Sequence, residues 1–342
     1  MASRILVGLD IGSKFVKAVQ LSETSGSYRV TEFGIAEISP QVSVPDVIGE
    51  LFSKKAFKTK RVVTSVSGRF VFVRYISMPV MSDEELVNAA KYELGKYIPV
   101  EVDEVLHDSQ KLEELAAQEG QEPEMRVLLV AAKRTFIDEH VAVLEAAGLQ
   151  PAVVDVDSFA LGNAYELSGQ INPQAIAPGK LVALVDIGAS KTNINIMTDA
   201  VSYFTREFYK GGDDLTDSIS KKLSMEVREA EMLKRNPGGE LPKVQECVGG
   251  ILDDICHDIN ISIDYFENQY DRKVEEVYLT GGASNTVGLQ ETLERTVQKP
   301  VTKWNPAQYL ELDLSRDSGQ ELQDNGSLAA IALGLASRVR RD

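Results

Sequence analysis

Cysteine is nearly absent from this 342-residue sequence, which holds only Cys247 and Cys256. They lie nine positions apart in a helical pattern. At about 100° per residue they face opposite sides, about 13 Å apart along the axis, which excludes a disulfide between them. Histidine is almost as scarce: His107, His140 and His257 fall in separate segments with no metal-ligand spacing. No apolar run approaches the ~20 residues needed to span a bilayer. The opening Met1-Ala2-Ser3-Arg4 enters strand-like sequence directly, without the layout of a secretory signal. No Gly-x-Ser-x-Gly elbow or Cys–His pairing points to covalent catalysis. Basic charge is short as well, with 36 Lys and Arg against 52 Asp and Glu and a net charge of −16. That balance excludes a duplex-DNA clamp, whose affinity comes from neutralising phosphates. The absences lead to the expectation of a soluble cytosolic protein with no nucleic-acid partner and no direct membrane insertion.

What is present is a globular composition, 43% hydrophobic and 26% charged, on a chain long enough for about two domains. Residues 5–10 form a short apolar run ending in Asp10, followed by the turn Ile11-Gly12-Ser13-Lys14 and strand-like alternation over 15–21. Strand, Gly turn, strand is a hairpin, which separates it from the strand-to-helix P-loop. Further strands are expected over 28–38, 61–66, 70–76, 102–112, 125–132 and 152–157. Helices are expected over 44–52, from a capping box at Ser82 to about Tyr97, and over 135–147 and 158–166. Residues 181–186 then repeat the opening event: an apolar run ends in Asp186, and Ile187-Gly188-Ala189-Ser190-Lys191-Thr192 leads into a second strand over 193–198. The Asp-Ile-Gly triplet at 10–12 thus returns at 186–188, 176 residues on and close to half the chain. Two halves opening with the same hairpin indicate a duplicated domain. Helices are expected over 216–234, 242–270, 287–297 and 327–341, and a strand over 274–280 leads into Gly281-Gly282-Ala283-Ser284. Residues 80–125 carry 13 acidic and 3 basic side chains, a net of −10, so most of the excess charge sits in one insert.

Each feature alone is an ordinary turn; together they describe a phosphate site. A Gly-containing turn exposes backbone N–H groups that cradle phosphate oxygens. An Asp at the strand end before it is suited to the hydrated Mg²⁺ that accompanies a nucleotide. Two such hairpins across a cleft clamp a triphosphate from both sides. Gly281-Gly282 allows a base or ribose close to the backbone, and Gly211-Gly212 before the next helix is a fourth, lesser element.

The set formed by residues 10–18, 184–192 and 279–284 resembles, in order, the phosphate-1, phosphate-2 and adenosine motifs of actin-like ATPases. Two further stretches, Arg74-Tyr75-Ile76-Ser77-Met78-Pro79 leading to Asp83-Glu84-Glu85-Leu86, and residues 91–99, are similar to the PilM group, the FtsA-like cytosolic component of type IV pilus assembly. Asp155-Val156-Asp157 is similar to that group too. The resemblance implies an α/β actin-like ATPase fold of two duplicated lobes around a nucleotide cleft, with an FtsA/PilM-type extra subdomain. It divides the chain into a first lobe over 1–78, an acidic inserted subdomain over 79–150, a return with linker over 151–180, a second-lobe core over 181–204, a helical subdomain over 205–272 and a closing part over 273–342.

The resemblance also implies roles. Asp10 and Asp186 hold Mg²⁺ through waters, and Asp157 orients the attacking water. Gly12, Ser13, Lys14 and Lys17 form the first phosphate clamp, and Gly188, Ala189, Ser190 and Thr192 the second. Glu231 and Lys234 contact the ribose; Gly211, Gly212, Gly281, Gly282, Ala283 and Ser284 complete the ATP site. Hydrolysis is expected to be slow or absent. The implied partner is the cytosolic N-terminal peptide of a PilN-like membrane protein, docking near the insert, where Phe72, Ile76, Leu86 and Tyr97 suggest a groove. Other pilus platform components and self-association are further expectations, with the protein peripheral to the inner membrane through its partner. Two alternatives stand beside this: a division-type filament protein like FtsA, which usually ends in an amphipathic membrane-targeting helix not seen before Asp342, and a small-molecule kinase of the same superfamily.

Overall fold

The computed structural model describes residues 4–24, 26–115 and 122–338. The expected polar gap at 118–123 and the basic last turn of the final helix lie mostly or wholly outside them. The described residues fall into two compact units, one from residues up to 65 together with 147 onward, the other from Val66–Ala146.

In the larger unit the first half opens with β1 (Arg4–Ile11), β2 (Phe15–Thr24) and β3 (Ser27–Glu37), then α1 (Val44–Lys54) and β4 (Arg61–Val66). In the smaller unit β5 (Val71–Pro79) and α2 (Asp83–Leu94) are followed by β6 (Val105–Glu114), β7 (Glu124–Lys133) and α3 (Arg134–Ala146). The larger unit resumes with β8 (Gln150–Val156) and α4 (Asp157–Ile171). Its second half opens with β9 (Leu181–Ile187), β10 (Thr192–Thr198) and β11 (Val201–Phe208). Helices α5 (Gly212–Leu223), α6 (Val227–Arg235) and α7 (Leu241–Tyr270) come next. Then follow β12 (Glu276–Thr280), α8 (Leu289–Val297), β13 (Val301–Lys303), β14 (Glu311–Leu312), α9 (Arg316–Asn325) and α10 (Ala330–Ser337).

The two halves share one topology. The first sheet runs β14-β3-β2-β1-β4-β8 and the second β11-β10-β9-β12-β13. In each, an antiparallel hairpin extends to a third strand on one side, while a parallel strand flanks the opening strand on the other. The registers match as well: Asp10 faces Lys17 and Asp186 faces Asn193, each seven residues on. Every residue of β9 is buried, as expected of a central strand covered on both faces. Its apolar side chains join those of β10, α5, α7 and α8 in the largest core cluster, which also takes in Cys247 and Cys256. Both cysteines are buried free thiols, and burial pushes the Cys256 thiol up to about 12.

Several expectations need correction. The strand ending at Pro79 does not close the first lobe: β5 pairs with β7 from Val71↔Ala132 to Pro79↔Glu124, so the smaller unit begins at 66. It ends at 146 rather than 150, because Gln150 already donates its N–H to the Lys60 carbonyl at 2.9 Å in the first sheet. The single helix expected over 216–234 is two. Ser224 takes a left-handed φ of 53° after α5, and α6 starts afresh at Val227. Strand β11 and helix α9 have no counterpart in the sequence reading, since neither carries a clean period. Of the four apolar residues expected to line a groove, Phe72, Ile76 and Leu86 are buried in the core of the smaller unit, and Tyr97 alone is exposed. The capping box is present as expected: Ser82 accepts from the Glu85 N–H, and Glu85 accepts from the Ser82 N–H.

Candidate functional site

The residues singled out by the repeat converge at the carboxyl ends of parallel strands. Asp10 and Asp186 are the penultimate residues of β1 and β9, and Asp157 follows β8. Gly281 follows β12, whose last residue, Thr280, stands beside Asp186 in the parallel register. Ligand sites of open α/β sheets form at such strand ends. The two hairpin turns meet there, Ser190 Oγ donating to Ser13 Oγ at 2.9 Å across 177 positions of sequence. Each turn is closed by its own backbone bond, Gly12 N–H to the Phe15 carbonyl at 3.0 Å and Gly188 N–H to the Lys191 carbonyl at 2.9 Å.

Behind the turns three carboxylates, Asp10, Asp157 and Asp186, are buried. Burial, opposed by the Lys17 ammonium 2.6 Å away, raises Asp10. Asp186 is pushed up to about 6, first by burial and then by the charge of Asp10, while Asn193 Nδ2 donates to it at 3.3 Å. A divalent cation near the pair would offset both shifts, and carboxylate oxygens suit a hard ion. The donor set therefore fits Mg²⁺ at Asp10 and Asp186. Among the described residues no three Asp, Glu, His or Cys side chains gather as direct ligands.

Gly281 has a φ of +93°, and a Cβ there would stand 2.4 Å from Asp186 Oδ1 and 2.5 Å from the Ile187 carbonyl. Glycine is required at this position by the close approach of the two strand ends, so its role is packing against the second turn rather than clearing space for a ring. Ser284 is buried with its hydroxyl donated to the Gly281 carbonyl at 2.7 Å, and the Ala283 N–H donates to Ile187 O at 2.9 Å; both hold this turn in place. Gly282 is exposed beside them. Thr192 is wholly buried and donates to the Lys210 carbonyl at 2.8 Å, which takes it out of the expected phosphate clamp. Gly211 and Gly212 lie against the second turn, the Gly212 N–H donating to the Gly188 carbonyl and the following Asp213 N–H to that of Ala189, at 2.9 and 2.8 Å.

Glu231 and Lys234 lie in a network of polar contacts. Lys234 donates to the Gly212 carbonyl at 2.8 Å, to Thr216 Oγ1 at 2.7 Å and to Glu231 at 2.8 Å, which uses all three N–H groups. Glu231 accepts from Thr216 at 2.6 Å and Arg235 at 2.7 Å, and pairs with Lys14 of the first turn at 3.2 Å. Burial works against this carboxylate, but its donors prevail and hold it well below the usual range. Arg235 also lies over the Phe15 ring at 5.7 Å. Glu231 is thus a hub fastening the first turn to α5 and α6, not a solvated face.

Lys191 is a further residue of the site, one that no motif marks. Its ammonium pairs with Asp157 at 2.8 Å and Glu207 at 3.3 Å. Aligning the repeats would have flagged it, since the first copy has Phe15 at the matching place.

Two duplicated halves with paired turns at their strand ends define an actin-like ATPase fold. A family model described as type IV pilus assembly protein PilM matches residues 8–340, and the chain belongs to that family. The solved PilM-PilN type IV pilus biogenesis complex contains a similar chain at 26% identity, with a TM-score of 0.82 and 97% of each chain covered. The structure of MreB 5 of Spiroplasma citri, bound to AMPPNP, has the same fold at 10% identity, with a TM-score of 0.51 and 98% of this chain and 95% of that one covered. Among curated proteins, cell division protein FtsA of Streptococcus pneumoniae serotype 2 is 24% identical over 265 residues, 69% of this chain. The match spans 56% of the length of that FtsA. Among the described residues no helix is long and apolar enough to cross a membrane.

Proposed function

We propose that this chain is an ATP-binding, actin-like scaffold of type IV pilus assembly, working in the cytoplasm at the inner membrane. The Ser13–Ser190 contact carries the nucleotide reading, because it brings the tips of the two turns face to face above Asp10 and Asp186. The two turns would hold the phosphates of ATP between them, and Asp10 and Asp186 would hold Mg²⁺ through its waters, which would neutralise phosphate charge. Lys17 and Lys14 supply positive charge at the first turn. The partner is the cytosolic N-terminal peptide of a PilN-like membrane protein, a reading supported by similarity to the PilM-PilN complex over nearly the whole chain. Its docking site is the unit Val66–Ala146, whose exposed apolar residues include Val87, Tyr92 and Tyr97.

Titration calorimetry with ATP·Mg tests the nucleotide site. Asp10→Ala and Asp186→Ala are each expected to weaken binding by roughly ten-fold or more while leaving the fold intact. Unchanged affinity in both variants refutes it. The FtsA similarity supports a second reading, a division-type filament protein. Sedimentable polymers formed with ATP·Mg, without binding of a PilN-type peptide, would favour that reading.

A further inference from the structure

Asp157 is the first residue of α4 and is buried, and its carboxylate is held by a lysine. Lys191, inside the second turn, reaches Asp157 Oδ2 at 2.8 Å with one N–H and Glu207 Oε2 at 3.3 Å with another. Glu207 is fixed on β11, where it pairs in register with Asn193, two residues beyond Lys191. The lysine is therefore anchored from the sheet on one side and grips Asp157 on the other. It lies in the turn proposed to clamp phosphate, yet its charge is directed to two carboxylates.

We propose that Lys191 is a positioning residue that clamps Asp157 and holds hydrolysis of bound ATP low, making this chain a nucleotide binder with suppressed turnover. The inference rests on the nucleotide reading above. In hydrolysis a water oxygen bonds to the γ-phosphorus as the bond from that phosphorus to the β–γ bridging oxygen breaks. The electron pair leaves on ADP, the water's proton is accepted by the carboxylate that orients the water, and inorganic phosphate departs. A carboxylate oxygen held by an ammonium at 2.8 Å is turned toward that partner rather than left to orient a water. Glu207 keeps the ammonium in place when ligand enters, since it is held independently of the phosphates. The burial of all three groups makes the arrangement stiff, with Lys191, Asp157 and Glu207 side chains 24%, 11% and 19% exposed.

The test uses the full chain and ATP·Mg, with ADP release, calorimetric affinity and nucleotide-free urea unfolding as readouts. Lys191→Met is expected to raise turnover at saturating ATP·Mg by roughly five-fold or more. Lys191→Arg, which keeps a cation on Asp157, is expected to restore the low rate. Adding Asp157→Asn to Lys191→Met is expected to abolish the gain. The urea midpoints of the two single variants and the double variant are expected to be non-additive, showing the coupling without any ligand. If Lys191→Met alone does not fold, Lys191→Met with Glu207→Gln removes charge as a pair and is expected to show the same gain. Unchanged turnover with binding intact, or a gain that survives Asp157→Asn, overturns the clamp. Absence of ATP·Mg binding in the wild type overturns the nucleotide reading itself, and the clamp with it.

Discussion

Glu231 has a structural role in the fold that its place in an ordinary helical pattern does not reveal. Four donors surround it, from Lys14, Thr216, Lys234 and Arg235. Its carboxyl is held below its ordinary value of 4.5, so the native state binds its proton less readily than the unfolded chain. The sign follows: its contribution is present at neutral pH and is lost as the pH falls through the ordinary carboxylate value and below. Glu231→Gln is expected to cost about 2–4 kcal/mol at pH 7, and the gap to wild type is expected to narrow in urea unfolding at pH 3. A constant gap across pH would mean that the charge on Glu231 contributes nothing. Asp10 and Asp186 were legible because the repeat marks them twice. Lys191 and Glu207 were not, since their pairing depends on β11, a strand whose alternation is too weak to read. Thr192 and Ser284 were picked out by motif, yet both are buried and spend their hydroxyls on backbone carbonyls, of Lys210 and Gly281.

Elements were most legible where periodicity and capping agree, as at α2 with its Ser82–Glu85 box and at the fully apolar β9. They were least legible where a local backbone event intervenes, such as the left-handed Ser224 that divides α5 from α6. Helix α10 read as core from its alanines and leucines, and the structure gives the reason for its glycine. A Cβ on Gly334 would stand 1.7 Å from the Ala160 carbonyl oxygen of α4, an approach only a hydrogen allows. Gly334→Ala is therefore expected to push α10 off α4 and cost roughly 2–4 kcal/mol in urea unfolding. A loss under about 0.5 kcal/mol would mean the helices separate freely. In the smaller unit Leu86 of α2 and Phe72 of β5 pack in the core. Leu86→Ala is expected to lower stability by about 2–4 kcal/mol, visible as faster hydrogen exchange throughout Val66–Ala146. A variant that lost peptide binding with unchanged exchange would instead place Leu86 on the docking surface.

At the scale of the whole molecule the repeat at 176 residues was the informative signal. It carried the duplicated architecture, because a strand-turn-strand unit leaves a local trace in sequence. The boundary of the inserted unit left none, since β5 joins the later strand β7 by pairing that no local pattern encodes. The charge asymmetry remains instructive: the −10 of residues 80–125 falls wholly within Val66–Ala146, so the acidity belongs to the unit proposed to meet the partner. A PilN-type N-terminal peptide is expected to slow hydrogen exchange in that unit; protection confined to residues after 181 would refute the assignment.

The central claim is that the turns at 10–14 and 186–191 form one nucleotide site. Hydrogen-exchange mass spectrometry of the full chain, with and without ATP·Mg, tests it most directly. Exchange is predicted to slow in both turns together, with the same dependence on ATP concentration, and the effect is predicted to disappear in Asp10→Ala. Protection of one turn alone, or of neither under conditions where ATP is bound, would contradict the account.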